Sequence, residues 1–202
     1  MKRLIFTSIV VIVMLCSNGW SVELGPTESL KPVLAGLTAV LTDESLKGAV
    51  HLQERRNIIM AEIKKGFDFR EMSRLVVGKR WRKITKEQRD YFTELMTKLM
   101  ENVYIGKLEG YSDQTVEYVG EKVKGQRAQV TTLIANNDIE VPVHYVMKKK
   151  KGKWMVYDIN IEGVSLVRNY QQQFKSILRK DKFEGLVKVL EEKTESFQDD
   201  SE

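Results

Sequence analysis

KWMVYDINIEGVSLVRNYQQQF, from Lys153 to Phe174, changes period in its middle. Up to Ile161 the apolar residues alternate: Met155, Tyr157, Ile159 and Ile161 fall on one face of a strand, with Asp158 and Asn160 on the other. Beyond it Tyr170, Phe174, Ile177 and Leu178 recur at helical spacing, which predicts a helix from about Val164 to Lys180. Only Glu162, Gly163, Val164 and Ser165 separate the two patterns, so strand and helix meet at a tight corner. Both present apolar faces there, so the corner belongs either to a solid core or to a cavity for something greasy.

Upstream, three more segments carry period-two patterns: about Thr115 to Val123, Gln126 to Ala135 and Ile139 to Lys148. Lys124-Gly125, Asn136-Asn137-Asp138 and the lysine run ending at Gly152 are short enough for hairpins, so the four strands predict an antiparallel meander. On the third strand Ile139, Val141, Val143, Tyr145 and Met147 share a face. One side of the sheet is therefore greasy and has to be covered by helices.

Those helices flank the sheet in sequence. Leu30, Val33, Leu34, Leu37 and Leu41 predict an amphipathic helix over Thr27 to Thr42, and Leu52, Ile58, Ile59 and Ile63 a second from about Val50 to Lys65. FDFREMSRLVVG reads as a short helix with Phe69, Met72, Leu75 and Val76 inward, ended by Gly78. A longer helix opens at Thr85, where Gln88 completes a capping box, and runs to about Leu108 with Phe92, Leu95, Met96, Leu99 and Val103 as its buried stripe. A last helix, capped by Asp181, carries Phe183, Leu186, Val187 and Leu190; the acidic, polar segment 194–202 reads as a disordered tail. The fold class is α+β, a four-stranded antiparallel sheet covered by N-terminal and C-terminal helices.

At the amino terminus Lys2 and Arg3 precede an uncharged run from Leu4 to Cys16, too short to span a bilayer. This reads as a secretory signal peptide over 1–21, with Gly19 and Ser21 at the positions a signal peptidase inspects and a mature chain starting near Val22. The only cysteine, Cys16, lies in the removed segment, so the exported chain has neither disulfide nor thiolate chemistry and is stabilised by packing. Residues 22–193 show no linker or composition break and read as one domain.

Little in the chain looks like catalysis. His51 and His144 are the only histidines, and neither has an i, i+4 partner for a metal. No serine stands in a nucleophile elbow, and no glycine-rich phosphate loop precedes a helix. Charge excludes little: the precursor carries +5, and loss of Lys2 and Arg3 leaves 31 basic against 28 acidic residues, spread along the helices rather than gathered as in a nucleic-acid binder. The lysine run from Lys148 is the exception, and reads as protection against edge-to-edge pairing or as an attraction to anionic surfaces. The enzymatic alternative is an isomerase-like site in a cone-shaped α+β fold, with Tyr145 or Tyr157 as hydrogen-bond donor and Asp158 as base. Adjacent Tyr157 and Asp158 point to opposite faces of a strand, which argues against it.

Three segments carry a resemblance. FDFREMSRLVVGKRWRKITKEQRDYF from Phe67 to Phe92, IEVPVHYVM from Ile139 to Met147, and above all WMVYDINIEGVSLVRNYQQQF from Trp154 resemble the MlaC family of periplasmic phospholipid-binding proteins. The resemblance implies helices and sheet enclosing an apolar cavity for acyl chains, with the headgroup outside and no cofactor beyond the lipid cargo. It implies as partners an outer-membrane lipoprotein–porin complex and an inner-membrane ABC transporter with a hexameric lipid-binding ring. Enclosure is required on energetic grounds, because exposing two acyl chains at about 0.8 kcal/mol per CH₂ costs on the order of 20 kcal/mol. On this reading the cavity lining comes from the inward residues Val130, Val141, Val143, Tyr145, Tyr157 and Ile159 of the sheet, and Met72, Leu95, Leu99, Val103, Tyr170 and Phe174 of the helices.

Overall fold

Turn chemistry organises the sheet. Gly125 (φ 59°) turns the chain between strands β1 (Thr115–Lys124) and β2 (Arg127–Ala135), and Lys151 with Gly152 (φ 50° and 81°) turns it between β3 (Glu140–Lys150) and β4 (Lys153–Ile161). Two successive positive φ values make the second a tight hairpin whose twist suits antiparallel strands. The computed structural model of the chain describes residues 23–109, 115–135 and 140–199; the expected signal peptide, the expected turn at Asn136-Asn137-Asp138 and Ile139 lie outside them.

A fifth strand, two residues long, follows where the sequence reading starts a helix. Glu162 (φ 50°) and Gly163 (φ 83°) form another two-residue turn, and β5 (Val164–Ser165) folds back onto β4 with Ile161 opposite Val164. The sheet order is β1-β2-β3-β4-β5, antiparallel throughout.

The expected face of β4 is also corrected. Val146 pairs with Asp158 but Met147 with Val156, so Tyr157 is an extra residue in a β-bulge. The bulge reverses the alternation: Trp154 and Val156 are buried on the side that Ile159 and Ile161 share, while Met155 and Tyr157 point away from them.

The helices follow the sequence reading closely: α1 (Pro26–Thr42), α2 (Leu52–Gly66), α3 (Phe69–Val77), α4 (Lys86–Glu109), α5 (Leu166–Lys180) and α6 (Lys182–Asp199). The capping box of α4 is present, Gln88 N donating to Thr85 Oγ1 at 3.2 Å and Thr85 N to Gln88 Oε1 at 2.9 Å. Helix α6 runs past Lys193, because Thr194 is buried and Phe197 packs on the helical core, continuing the stripe of Leu186 and Leu190. A segment expected to be disordered is thus helical as far as Asp199.

Apolar side chains gather in three clusters. One joins α3, α4, α5 and α6 around Phe92, Met96 and Phe174; a second packs Leu30 and Leu34 of α1 under the sheet at Val130 and Val156; a third ties α1 and α2 to Ile105 of α4. One seam between the helical cluster and the sheet cluster lies where Phe67 bridges Val156 and Asp68 N donates to Val156 O at 2.8 Å.

Candidate functional site

Where the three clusters approach one another the interior is hollow. The cavity measures about 580 Å³, inside the ~300–1,000 Å³ range of ligand pockets. Its sheet wall is Val116, Ile134, Val143, Tyr145, Ile159 and Ile161. Helix α1 contributes Leu34, Leu37 and Leu41, α2 Met60 and Ile63, and the link into α3 supplies Phe67, Phe69 and Met72. Helix α4 closes the far side with Met100, Tyr104, Ile105 and Leu108. Leu166 and Asn169 at the start of α5, with Val164 and Glu162 of the hairpin, complete it.

Exposure locates the mouth. Val164 is 56% exposed, and Thr42 and Glu162 are exposed too, so the opening lies between the end of α1 and the β4–β5 hairpin. The hairpin corner at Glu162 and Val164 is therefore part of the rim. Behind it Asp158 fixes α5: Ser165 Oγ donates to Asp158 Oδ2 at 2.6 Å, Val167 N donates to Oδ1 at 3.0 Å, and Ser165 Oγ accepts from Arg168 N at 3.1 Å. Both oxygens of the carboxylate are spent on the helix amino terminus, which orients the rim.

Polar groups in the cavity are few. Burial pushes the Glu101 carboxyl up, with the charges of Lys64, Arg56 and Lys98 working against it. Tyr104 and Tyr170 are hydrogen-bonded to one another, and burial raises both phenols. Such a lining is chemically suited to alkyl chains, with Thr38, Thr42, Glu101, Tyr104, Tyr145, Glu162 and Asn169 as its polar members.

Four of the twelve residues expected to line a cavity do so: Met72, Val143, Tyr145 and Ile159. Leu95, Leu99, Tyr170 and Phe174 belong to the helical cluster, with Val103 packed against it. Val130 is fully buried beneath α1, and Val141 packs at the margin of the same cluster. Tyr157 is carried to the other side by the bulge. Helix α4 has two apolar stripes: Phe92, Leu95, Leu99 and Val103 build core alone, while Met100 and Tyr104, also part of or packed on that core, border the void together with Leu108 at i, i+4 and i+8. That second stripe was readable in sequence, as were Leu34, Leu37 and Leu41; Phe67 at the seam had no periodic signal.

Comparison with known proteins agrees with this architecture. The family described as MlaC protein matches residues 32–192. The intermembrane phospholipid transport system binding protein MlaC of Haemophilus influenzae is 27% identical over 123 residues, a region covering 58% of this chain and 58% of that protein. The structure of a phospholipid-binding protein from Ralstonia solanacearum in complex with a phospholipid superposes with a TM-score of 0.79 at 26% identity, covering 87% of this chain and 99% of that one. With its hollow α+β interior and a family match spanning most of its length, the chain belongs to the MlaC family.

Proposed function

We propose that this chain is a periplasmic phospholipid carrier that encloses acyl chains in the cavity and leaves the headgroup at the rim. The observation that carries the reading is the cavity of about 580 Å³ with almost wholly aliphatic and aromatic walls, open on one side. Apolar contacts without a polar clamp give retention and still permit release, as a shuttle requires. Relatives named for phospholipid transport and phospholipid binding support the same cargo. The carrier works as one domain after removal of the signal segment 1–21. It exchanges lipid with an outer-membrane lipoprotein–porin complex and an inner-membrane ABC transporter bearing a hexameric lipid-binding ring. The isomerase-like alternative loses the base assigned to it, since Asp158 is engaged by Ser165 and Val167, and of its two candidate donors Tyr157 stands outside the cavity while Tyr145 lines it.

The test is mass spectrometry of an organic extract of the purified exported protein. Phospholipid at near one per chain is the expected result; its absence removes the main support for the carrier reading.

A further inference from the structure

A second concavity, about 260 Å³, opens beside the seam and shares a wall with the lipid cavity. Along the segment from Phe67 to Glu71 the side chains divide: Phe67 and Phe69 line the lipid cavity, whereas Asp68, Arg70 and Glu71 line this cleft. Its cations are Arg70, Arg74, Lys148 and Lys150, and its carboxylates are Asp68 and Glu71 alone. Both carboxylates are saturated. Glu71 accepts from Arg74 Nε at 2.7 Å and from Lys148 Nζ at 3.0 Å; Asp68 accepts from Lys150 Nζ at 2.6 Å and from Glu71 N at 3.0 Å. Arg70 reaches out of the cleft to Asp90, which Lys86 already neutralises. A surplus of positive charge is left in a concave polar site.

The surroundings enlarge that surplus, and Arg70 and Arg80 within it are anchored. The 3₁₀ turn Gly78–Arg82 continues from α3, and residues 78–86 hold Lys79, Arg80, Arg82, Lys83 and Lys86 without one acid. Its backbone is fixed from outside: Arg80 Nη2 donates to Leu178 O at 2.9 Å, Arg89 Nε donates to Trp81 O at 2.9 Å, and the guanidinium of Arg70 lies over the Trp81 ring at 5.7 Å. Cations held in place before binding lose little entropy on meeting an anion, and guanidinium forks match carboxylates bidentately.

We propose that this cleft is the docking site for a carboxylate-rich segment of a partner protein. A flat bilayer surface does not enter a concavity, and an acidic side chain does. Position favours the same choice. Lys148 stands five residues along β3 from Val143 of the cavity wall, roughly 17 Å at strand rise, toward the hairpin opposite the mouth. A partner held there leaves the mouth free, whereas a membrane held there would be turned away from it.

The test uses the exported full chain and a hexaglutamate peptide, followed by isothermal titration calorimetry at low ionic strength. Binding is expected in the wild type, weakened roughly tenfold or more in Arg70→Ala/Lys150→Ala and unchanged in Arg168→Ala/Lys175→Ala, whose cations stand exposed on α5. Lys150→Ala alone, a half-exposed lysine near the strand end, serves if the double variant does not fold, and is expected to weaken binding in the same direction. No binding of the peptide to the wild type overturns the proposal. So does equal weakening in both double variants, which means diffuse attraction. Inorganic phosphate bound as tightly as the peptide, or phosphatidylglycerol vesicles bound through Arg70 and Lys150 while the peptide is not, likewise overturns it in favour of a small-anion or membrane site. None of these outcomes depends on whether lipid occupies the cavity.

Discussion

Val143 is only 4% exposed and packs in the sheet cluster, yet it also borders empty space. Added volume separates the two situations, because overpacking a solid interior costs about 1–3 kcal/mol while a void accepts atoms. Val143→Trp is expected to fold with a melting temperature near that of delipidated wild type and to lose lipid binding. Unfolding of the delipidated variant, while His144→Trp on the outer face is tolerated, would place Val143 in solid core. Phe92, fully buried in the helical cluster, supplies the contrast: Phe92→Ala should cost about 3–5 kcal/mol in a denaturant titration. Asp158 acts through backbone rather than cavity. Asp158→Ala removes the acceptor for Val167 N and Ser165 Oγ, and should lower stability by about 0.5–2 kcal/mol in the same titration.

Among elements, α6 and the α3–β3 seam make the sharpest claims. If the last turns of α6 are packed, a chain ending at Lys193 loses the contacts of Thr194 and Phe197 and melts measurably lower than the full chain; an unchanged melting temperature would mean those turns contribute nothing. At the seam Glu71 is held at about 2 against an ordinary 4.5, chiefly by its hydrogen bond from Arg74, with burial opposing and Lys148 reinforcing. Its folded value lies below its unfolded one, so its contribution is whole above pH 4.5 and is lost as pH falls toward 2. Thermal melts across that window should show wild type declining more steeply than Glu71→Gln. Equal slopes would mean the Arg74–Glu71–Lys148 group does not stabilise the join. The lysine run belongs here too: β3 is an interior strand, and Lys148, Lys149 and Lys150 pair with Glu71, Glu23 and Asp68, so they tie elements together rather than guard an edge.

At the scale of the whole molecule, three separate clusters leave a hollow instead of one continuous core. A protein built this way gains stability from its occupant by mass action. Delipidation of the purified protein is therefore expected to lower its melting temperature, and re-addition of phospholipid to restore it. A melting temperature indifferent to lipid would mean that the hollow is not where cargo is held.

Helices α1 to α6 and strands β1 to β4 were legible along the chain, because period, capping residues and turn residues act over a few positions: Thr85 with Gln88 starts α4, and Gly163 makes the corner, whereas the two-residue β5 is too short to carry a period. Facing direction was legible where the register is regular, since Met72, Val143, Tyr145 and Ile159 turn inward, and failed for Met155 and Tyr157. Tertiary structure alone decided what lies in front of an inward residue. Leu95 and Met100 are both apolar, both buried on α4 and both part of the helical cluster, yet only Met100 also borders the void. The bulge at Tyr157 was invisible for a related reason: nothing in its own residues marks it, and the register is fixed by pairing with β3 and by the bond from Asp68 N to Val156 O. Periodicity records orientation about one element's axis, whereas a cavity is the distance left between several elements.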